Sequence, residues 1–246
     1  MPNVTKVFGF LSLFAGILML VGEAWWQQNV LLILGSGSVF LGIYSIVLST
    51  ERYVKAEAFT ASFGSEVENL DRIMVGLEID GKAIYLPRDY AGSPRVFIPA
   101  RDGGPLPDVR ADPVFVTGSG SSSMGIHMLP LGHSLLTYLE EELEAKVEDL
   151  EPSAVAVMLP PLLTQGLGLA ASVEIDEVDL TFTVQSPICS STCKRGLKAC
   201  TNVGCPLCSC IAEALSRSLG APLRLSALQY DLPTDRVSGR LEKIEG

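Results

Sequence analysis

The sequence predicts an α+β protein in three parts: a transmembrane helical hairpin over residues 1–50, a helical stalk over 51–75 and a soluble domain over 76–246. The first observation is charge, because Lys6 and Glu23 are the only charged residues among the first 50. The second is periodicity. Beyond residue 76, apolar residues switch between helical spacing and a spacing of two, in the order strands, helices, strands, helix, strand. This order is typical of a mainly antiparallel sheet with helices on one face.

Two uncharged segments predict the helical hairpin. Residues 7–22 are mostly apolar and somewhat shorter than the ~20 residues that span a bilayer, but Lys6 and Glu23 can reach the headgroups. Residues 30–48 form a second span, in which the small residues 35–38 allow close helix contact. The short connection contains two tryptophans, which suit the membrane interface. We therefore expect two spans, with the lipid bilayer as the first partner.

Basic residues at the flanks predict the orientation of the hairpin. Lys6 precedes it, Arg52 and Lys55 follow it, and the connecting turn contains no basic residue. Because basic flanks stay on the cytoplasmic side, we expect a multi-pass protein of the cell membrane whose soluble domain faces the cytoplasm. An alternative is that residues 1–24 are a cleaved signal peptide, in which case the second span still returns the chain to the cytoplasm.

The part of the chain that follows the hairpin is strongly acidic. Of the 28 acidic and 18 basic residues, all but one of each follow residue 50, so this part carries the whole net charge of −10. An acidic surface repels the phosphate backbones of DNA and RNA. Nucleic acid is therefore not an expected partner.

An apolar seam of helical spacing follows the hairpin and predicts a helix that continues the second span as a stalk. One interpretation is that the seam packs on the protein's own domain. The other is a short parallel coiled coil between copies of the chain. Self-association through the stalk and contacts with other membrane proteins are therefore further candidate interactions. The seam consists of Ala56, Phe59, Phe63, Val67, Leu70 and Met74.

Short strands and helices are predicted in the soluble domain. Prolines that interrupt apolar runs indicate short strands with stiff turns, and runs of period two indicate strands with one buried face. A run of glutamates is expected on the solvent face of its helix. The expected strands are 83–86, 95–98, 114–116, a hairpin over 172–185 around Asp176 and Glu177, a strand from Leu223 and an edge strand at 236–244; the expected helices are Ser134 to Leu150, Pro160 to Leu167, and Pro206 to Leu219 with Cys205 as N-cap and Gly220 as its stop.

Two features with catalytic potential are weak. The segment Gly118–Gly125 is rich in glycine and serine but lacks the Lys-Ser/Thr ending of a phosphate loop, so it predicts a flexible loop. His127 and His133 are conceivable metal ligands or general bases, but no nucleophile lies in a recognisable elbow. No catalytic residue is predicted. The interpretation that this favours is a membrane-anchored, non-catalytic adapter or assembly module at the cytoplasmic face.

Two short motifs occur in a familiar arrangement. The motif G-I-H-M-L-P-L-G at 125–132 leads into a leucine-rich helix, and G-C-P at 204–206 precedes a helix that ends in G-A-P at 220–222. Together with the amino-terminal hairpin, these motifs resemble an archaeal family of uncharacterised membrane-anchored proteins. The resemblance covers the layout of most of the chain, and it implies neither an activity nor catalytic residues.

All six cysteines lie between residues 189 and 210, with the spacing C-x3-C-x6-C-x4-C-x2-C-x-C. In a cytoplasmic domain such a cluster is more often metal-bound or redox-active than joined by disulfides. The motif C-P-L-C resembles a zinc knuckle, and the first cysteine pair can complete a tetrahedral zinc site. The spacing does not match the bacterial ferredoxin motif. The predicted ligands are Cys189, Cys193, Cys205 and Cys208, with Cys200 and Cys210 as alternatives.

Disulfides and inert thiols remain open as other interpretations of the cluster. The segment from Ser186 to Gly204 contains few apolar residues and needs cross-links to offset its ordering entropy. We therefore expect at least four of the six sulfurs to be paired or ligated.

One cysteine has a setting that favours reactivity. Cys205 stands at a helix amino terminus near Lys194, Arg195 and Lys198, where a thiolate is expected to be stabilised. This setting supports the alternative function, a membrane-tethered thiol redox or metal-binding protein that uses the cysteine cluster.

Overall fold

The structure is a computed structural model that describes residues 4–26, 29–48, 56–103, 106, 115–116 and 124–244. It divides into two compact units, Met1–Tyr53 and Val54–Gly246. The predicted loop at Gly118–Gly125 lies mostly outside the described residues, as do Arg52 and Lys55.

The first unit contains two helices, α1 (Val4–Trp26) and α2 (Asn29–Leu48), which pack side by side in opposite directions. Glycines allow the close approach: a Cβ at Gly16 would lie 2.7 Å from the backbone nitrogen of Val39, and one at Gly42 would lie 2.6 Å from that of Leu13. Of the small residues predicted at this contact, Gly35 lies in it. Gly16 and Gly42 were not predicted to lie at this contact, because their roles depend on where the facing helix lies.

The outer faces of these helices are apolar. Phe8, Phe14 and Phe40 are all well exposed. In α2, the stretch Asn29–Ile46 has a mean hydropathy of 1.8 and is long enough to cross a membrane, whereas the apolar run of α1, Phe8–Gly22, is shorter. Among the described residues, one helix therefore meets both criteria for a span. The second span and the orientation stay predictions.

The second unit is built on an antiparallel sheet, which confirms the α+β class. Its strand order is β3-β4-β2-β1-β7-β8-β6-β5, and every adjacent pair in it is antiparallel. Strands β1–β4 form one half and β5–β8 the other, and the β1–β7 pairing joins the halves. The described strands are β1 (Ile84–Leu86), β2 (Arg95–Pro99), β3 (Phe115–Val116), β4 (Gly125–Met128), β5 (Ser172–Asp176), β6 (Thr181–Gln185), β7 (Leu223–Asp231) and β8 (Arg236–Lys243).

Helices pack on this sheet. The helix that contacts both β1 and β7 is α9 (Pro206–Leu219), which is almost completely buried. Two further helices, α5 (His133–Leu143) and α6 (Pro152–Pro161), pack on α9. Helix α9 starts after the predicted N-cap Cys205 and stops at Gly220, whose φ of 59° explains the preference for glycine. The remaining helices of this unit are α3 (Ala56–Gly76), α4 (Arg88–Ala91), α7 (Ser190–Cys193) and α8 (Lys198–Asn202).

The apolar seam of α3 packs on the protein's own domain over its described half. Val67, Leu70 and Met74 are buried in the main core. This is the first of the two interpretations of the seam, and it leaves these three side chains no part in a coiled coil. The side chains of Ala56 and Phe59 lie outside the described residues, so self-association through that part of the stalk stays a prediction.

The helix expected from Ser134 to Leu150 was predicted too long. It ends at Leu143, because Glu144 takes a left-handed φ of 51°, and a single 3-10 turn follows at Val147–Asp149. The carboxylate of Glu140 accepts a hydrogen bond from the backbone N–H of Val147 and so stabilises the reversal. Glu140 is therefore buried, and its assignment to a solvated face was wrong.

The helix predicted from Pro160 to Leu167 was misplaced. Pro152, not Pro160, occupies the first helical turn, and Pro160 and Pro161 lie at the end of α6. Because the two prolines lack N–H donors, the hydrogen-bond ladder changes register after them, and residues 162–166 form a wider π-type turn.

Candidate metal centre

The cysteine segment folds back on itself through two short helices. After β6, α7 ends at Cys193, a turn through Gly196 leads into α8, and Gly204 precedes α9. Both glycines have positive φ values, 64° and 98°, which residues with a Cβ rarely adopt. These turns bring cysteines from α7, α8 and α9 to one place at the carboxyl end of β6.

Three sulfurs of the predicted ligand set lie together and the fourth adjoins them. The sulfur atoms of Cys189, Cys193 and Cys205 all lie within 4.8 Å of one another. Cys189 Sγ is 3.1 Å from Cys205 Sγ, and Cys208 Sγ is 3.5 Å from Cys205 Sγ. Four sulfurs at about 2.3 Å from a tetrahedral zinc ion lie roughly 3.8 Å apart, so this spacing suits a single ion.

A fifth sulfur belongs to the same cluster. Cys193, Cys200, Cys205 and Cys208 line a cavity of ≈ 20 Å³ that Leu228, Tyr230 and Val237 also line. A volume of this order holds one water-sized particle. Spacing alone left Cys200 as an alternative ligand, and the structure places it at the outer edge of the cluster beside Cys193.

The sixth cysteine lies elsewhere. The backbone nitrogen of Cys210 is in close contact with Gly132 at the entrance to α5, and Cys210 does not line the sulfur cavity. Burial, and then the nearby Glu213 carboxylate, raise the pKa of its thiol well above the usual value. The structure thus gives no support to Cys210 as an alternative ligand.

The thiols of the cluster differ in the direction in which their neighbours shift the pKa. Hydrogen bonds from the thiols of Cys189, Cys193 and Cys208 lower the pKa of Cys205 well below its usual value. Hydrogen bonds to Cys189, Cys200 and Cys205 raise the pKa of Cys193. Several thiolates this close together repel one another unless a cation lies between them. The cluster is therefore suited to binding a soft divalent ion.

The sequence predicted a stabilised Cys205 thiolate from the helix amino terminus and from nearby basic side chains, and the structure supports only the first of these two causes. Basic side chains were expected to stabilise it, yet these form ion pairs with carboxylates: Lys194 with Asp235, Arg195 with Glu68 and Lys198 with Asp80. Hydrogen bonds from the neighbouring thiols, and a smaller contribution from the backbone N–H of Cys208, lower the pKa of Cys205. Each of the six described cysteines is buried and has a free thiol.

The two histidines lie outside the sulfur cluster. His127 is buried in β4, and Nδ1 of His133 lies 2.7 Å from a carboxylate oxygen of Glu213. Glu213 belongs to a buried ion network in which Arg217 lies 2.5 Å from both Glu140 and Glu148. This network was not predicted. The sequence signal that could have indicated it is Arg217, four residues after Glu213 on a helix with no other charged residue.

Comparison with known proteins adds the family. Residues 5–238 match the family model described as a domain of unknown function, DUF7982. The chain belongs to this family. The match includes both the helical pair α1–α2 and the cysteine cluster, so both lie within the family region. No curated protein and no solved structure matches the chain.

Proposed function

We propose that this protein is a membrane-anchored adapter or assembly module whose cytoplasmic domain is held together by a structural zinc ion. The ion is bound by Cys189, Cys193, Cys205 and Cys208. The observation that carries the proposal is the group of three sulfurs within 4.8 Å, with a fourth 3.5 Å from one of them.

Burial of the cluster favours a structural zinc over a catalytic one. A catalytic zinc keeps one coordination position for water or substrate, whereas a structural zinc is closed by four protein ligands. The predicted ligands are all buried, and the neighbouring cavity has room for about one water-sized particle. An ion here would tie α7, which follows β6, to α9 without contacting a substrate. This supports a non-catalytic role.

Membrane anchoring is supported by the first unit. Helices that are apolar on all sides are typical of a buried core or a membrane span. The outward aromatic side chains of α1 and α2 are exposed, and α2 is long enough to span a bilayer. The basic residues Lys6, Arg52 and Lys55 on both sides of the pair support an orientation with the large domain in the cytoplasm.

The zinc proposal predicts the metal content of the purified chain. We expect about one zinc per chain without added metal, because thiolate sites of this kind bind zinc tightly. Cys205→Ser is expected to abolish this zinc, since Cys205 contacts both Cys189 and Cys208. Cys210→Ser is the matched control, because Cys210 lies outside the cluster, and it should keep the zinc. The measurement is elemental analysis together with a count of free thiols.

Two outcomes would refute the zinc centre. One is six reactive thiols and no metal in the purified wild-type chain. The other is an equal zinc content in the Cys205→Ser and Cys210→Ser variants. Iron or copper in place of zinc would keep the ligand set but change the ion.

The topology predicts which exposed positions a membrane-impermeant thiol reagent reaches in intact cells. Val178 lies at the tip of the β5–β6 turn and Trp25 near the end of α1, and both are more than four-fifths exposed. We expect Val178→Cys to be labelled only after lysis and Trp25→Cys to be labelled in intact cells. The wild-type chain, whose cysteines are buried, provides the background. Labelling of Val178→Cys from outside would contradict a cytoplasmic domain.

A further inference from the structure

The sulfur cluster contains one cysteine more than a tetrahedral ion requires. Five sulfurs lie together, and a structural zinc takes four. With the proposed ligand set, the thiol left over is Cys200. It lines the same cavity as Cys193, and its thiol donates to the backbone carbonyl of Thr192, the residue before Cys193. One ligand of the ion therefore has a free thiol as its neighbour.

These two cysteines are also the most accessible of the cluster. The exposed fraction is 9% for Cys193 and 5% for Cys200, whereas it is 3% or less for the other three. They lie on α7 and α8, which are joined by an exposed turn at residues 194–196. The seven-residue separation and the positive φ of Gly196 allow the two short helices to approach without moving the sheet.

We propose that Cys193 and Cys200 are an oxidation site, in which a peroxide converts the pair to a disulfide and thereby removes one ligand from the ion. This inference rests on the proposed zinc centre for its effect on the metal. The disulfide itself does not depend on the ion. Oxidation of the pair would release the zinc ion, and reduction of the disulfide would restore the missing ligand.

The chemistry needs only a peroxide as oxidant. Cys193 binds the proposed ion as a thiolate, and its sulfur attacks one oxygen of hydrogen peroxide, so that the O–O bond breaks, an S–O bond forms and hydroxide leaves. In the metal-free chain the attacking group is the Cys193 thiol, whose proton leaves with the hydroxide as water. In both cases Cys193 becomes a sulfenic acid. The Cys200 sulfur then attacks the Cys193 sulfur, the S–S bond forms, and water leaves with the Cys200 proton. The two sulfurs together lose two electrons, and the peroxide gains them. A dithiol reductant returns both thiols and is itself oxidised to a disulfide.

The redox function predicted from the sequence involved Cys205, whereas the proposed oxidation involves Cys193 and Cys200. Cys205 was the expected reactive thiol, but it is 1% exposed and in contact with Cys189 and Cys208, which are also proposed ligands. A peroxide approaching from solvent meets Cys193 and Cys200 first. We therefore place the oxidation at the edge of the cluster and the ion at its centre.

The test uses the full-length chain in lipid nanodiscs, treated with hydrogen peroxide after removal of free metal. Zinc release is followed with a chromogenic chelator, and disulfides are mapped by mass spectrometry after alkylation and trypsin digestion. Trypsin can cut at Lys194, Arg195 and Lys198, so Cys189 and Cys193 lie on one peptide and the four later cysteines on another. Fragmentation of the linked peptides in the mass spectrometer then shows which cysteine of each peptide forms the bond. We expect a bond between Cys193 and Cys200 and loss of zinc in the wild-type chain, and recovery of both thiols with a dithiol.

Two variants make the result decisive. Cys200→Ser should bind as much zinc as the wild-type chain and keep it in peroxide, whereas Cys210→Ser should behave as the wild-type chain does. Zinc release from Cys200→Ser at the wild-type rate, or a disulfide at another pair, would overturn the proposal. So would a loss of zinc from untreated Cys200→Ser, because Cys200 would then be a ligand. If the wild-type chain contains no zinc, the zinc proposal fails, and the disulfide map alone decides the oxidation site.

Discussion

Replacing Arg217 with methionine is expected to lower the free energy of unfolding by about 3–5 kcal/mol, because removal of one partner leaves buried charges uncompensated. The side chains of Arg217, Glu140 and Glu213 are only 4%, 3% and 1% exposed. In the wild-type chain the guanidinium lies between these carboxylates and Glu148. Methionine fills a similar volume but supplies neither hydrogen-bond donors nor a positive charge. The loss of unfolding free energy therefore measures the uncompensated carboxylates and not a change in packing.

The measurement is the melting temperature of the full-length chain in detergent. For a unit of this size, a loss of 3–5 kcal/mol corresponds to a decrease of roughly 6–20 °C. Arg236→Met is the control, since Arg236 is an exposed arginine that donates to Thr183 at 3.3 Å, and it should change stability by less than about 0.5 kcal/mol. Adding Glu140→Gln and Glu213→Gln to Arg217→Met should restore part of the loss. Equal melting temperatures for the two arginine variants would disprove the role of the network.

Replacing Gly132 with alanine is expected to cost about 3 kcal/mol, at the upper end of the range for overpacking. A Cβ at this position would lie 2.1 Å from the backbone nitrogen of Cys210 and 2.5 Å from the carbonyl oxygen of Pro206. Both atoms belong to the backbone of α9, so no side chain can rotate away. The start of α5 must instead separate from the central helix.

Gly64→Ala is the matched control for this substitution. Gly64 lies inside α3, and among the described residues no atom lies within 4 Å of a Cβ placed there. Alanine should therefore stabilise the helix by about 0.5–1 kcal/mol. If contact with α9 requires glycine at position 132, thermal unfolding should show a lower melting temperature for Gly132→Ala, and a higher one for Gly64→Ala, than for the wild-type chain. A melting temperature of Gly132→Ala at or above that of the wild-type chain would contradict the close helix contact.

The elements that the sequence predicted well are those with local signals. Alternating apolar residues placed the β5–β6 hairpin, and the observed register pairs Val173 with Val184 and Ile175 with Phe182. The turn was still misjudged. Val178 was assigned to the strand, but Asp176 accepts hydrogen bonds from the backbone N–H groups of Val178 and Asp179, and this turn leaves Val178 in solvent.

The elements that the sequence did not reveal depend on distant partners. Glu140 is buried because Arg217, 77 residues later, lies beside it, and no periodicity within one helix can indicate that pairing. The position of β1 between β2 and β7 also depends on a distant partner, because Ile84 in β1 pairs with Arg224 in β7. For the candidate metal centre, spacing indicated the four proposed ligands. It could not separate Cys200, which joins the cluster, from Cys210, which does not.

The division of the sheet into two halves has a consequence for the order in which the chain folds. Each half comes from one continuous segment, whereas the β1–β7 pairing joins Ile84 to Arg224, 140 positions apart. Contacts this distant in sequence form late, because a long loop must close first. The five clustered cysteines lie within 20 residues, at 189–208, and precede β7 and β8 in the chain, so they leave the ribosome before those strands do. We therefore expect the proposed ion to be bound on the nascent chain, before the last two strands close the sheet.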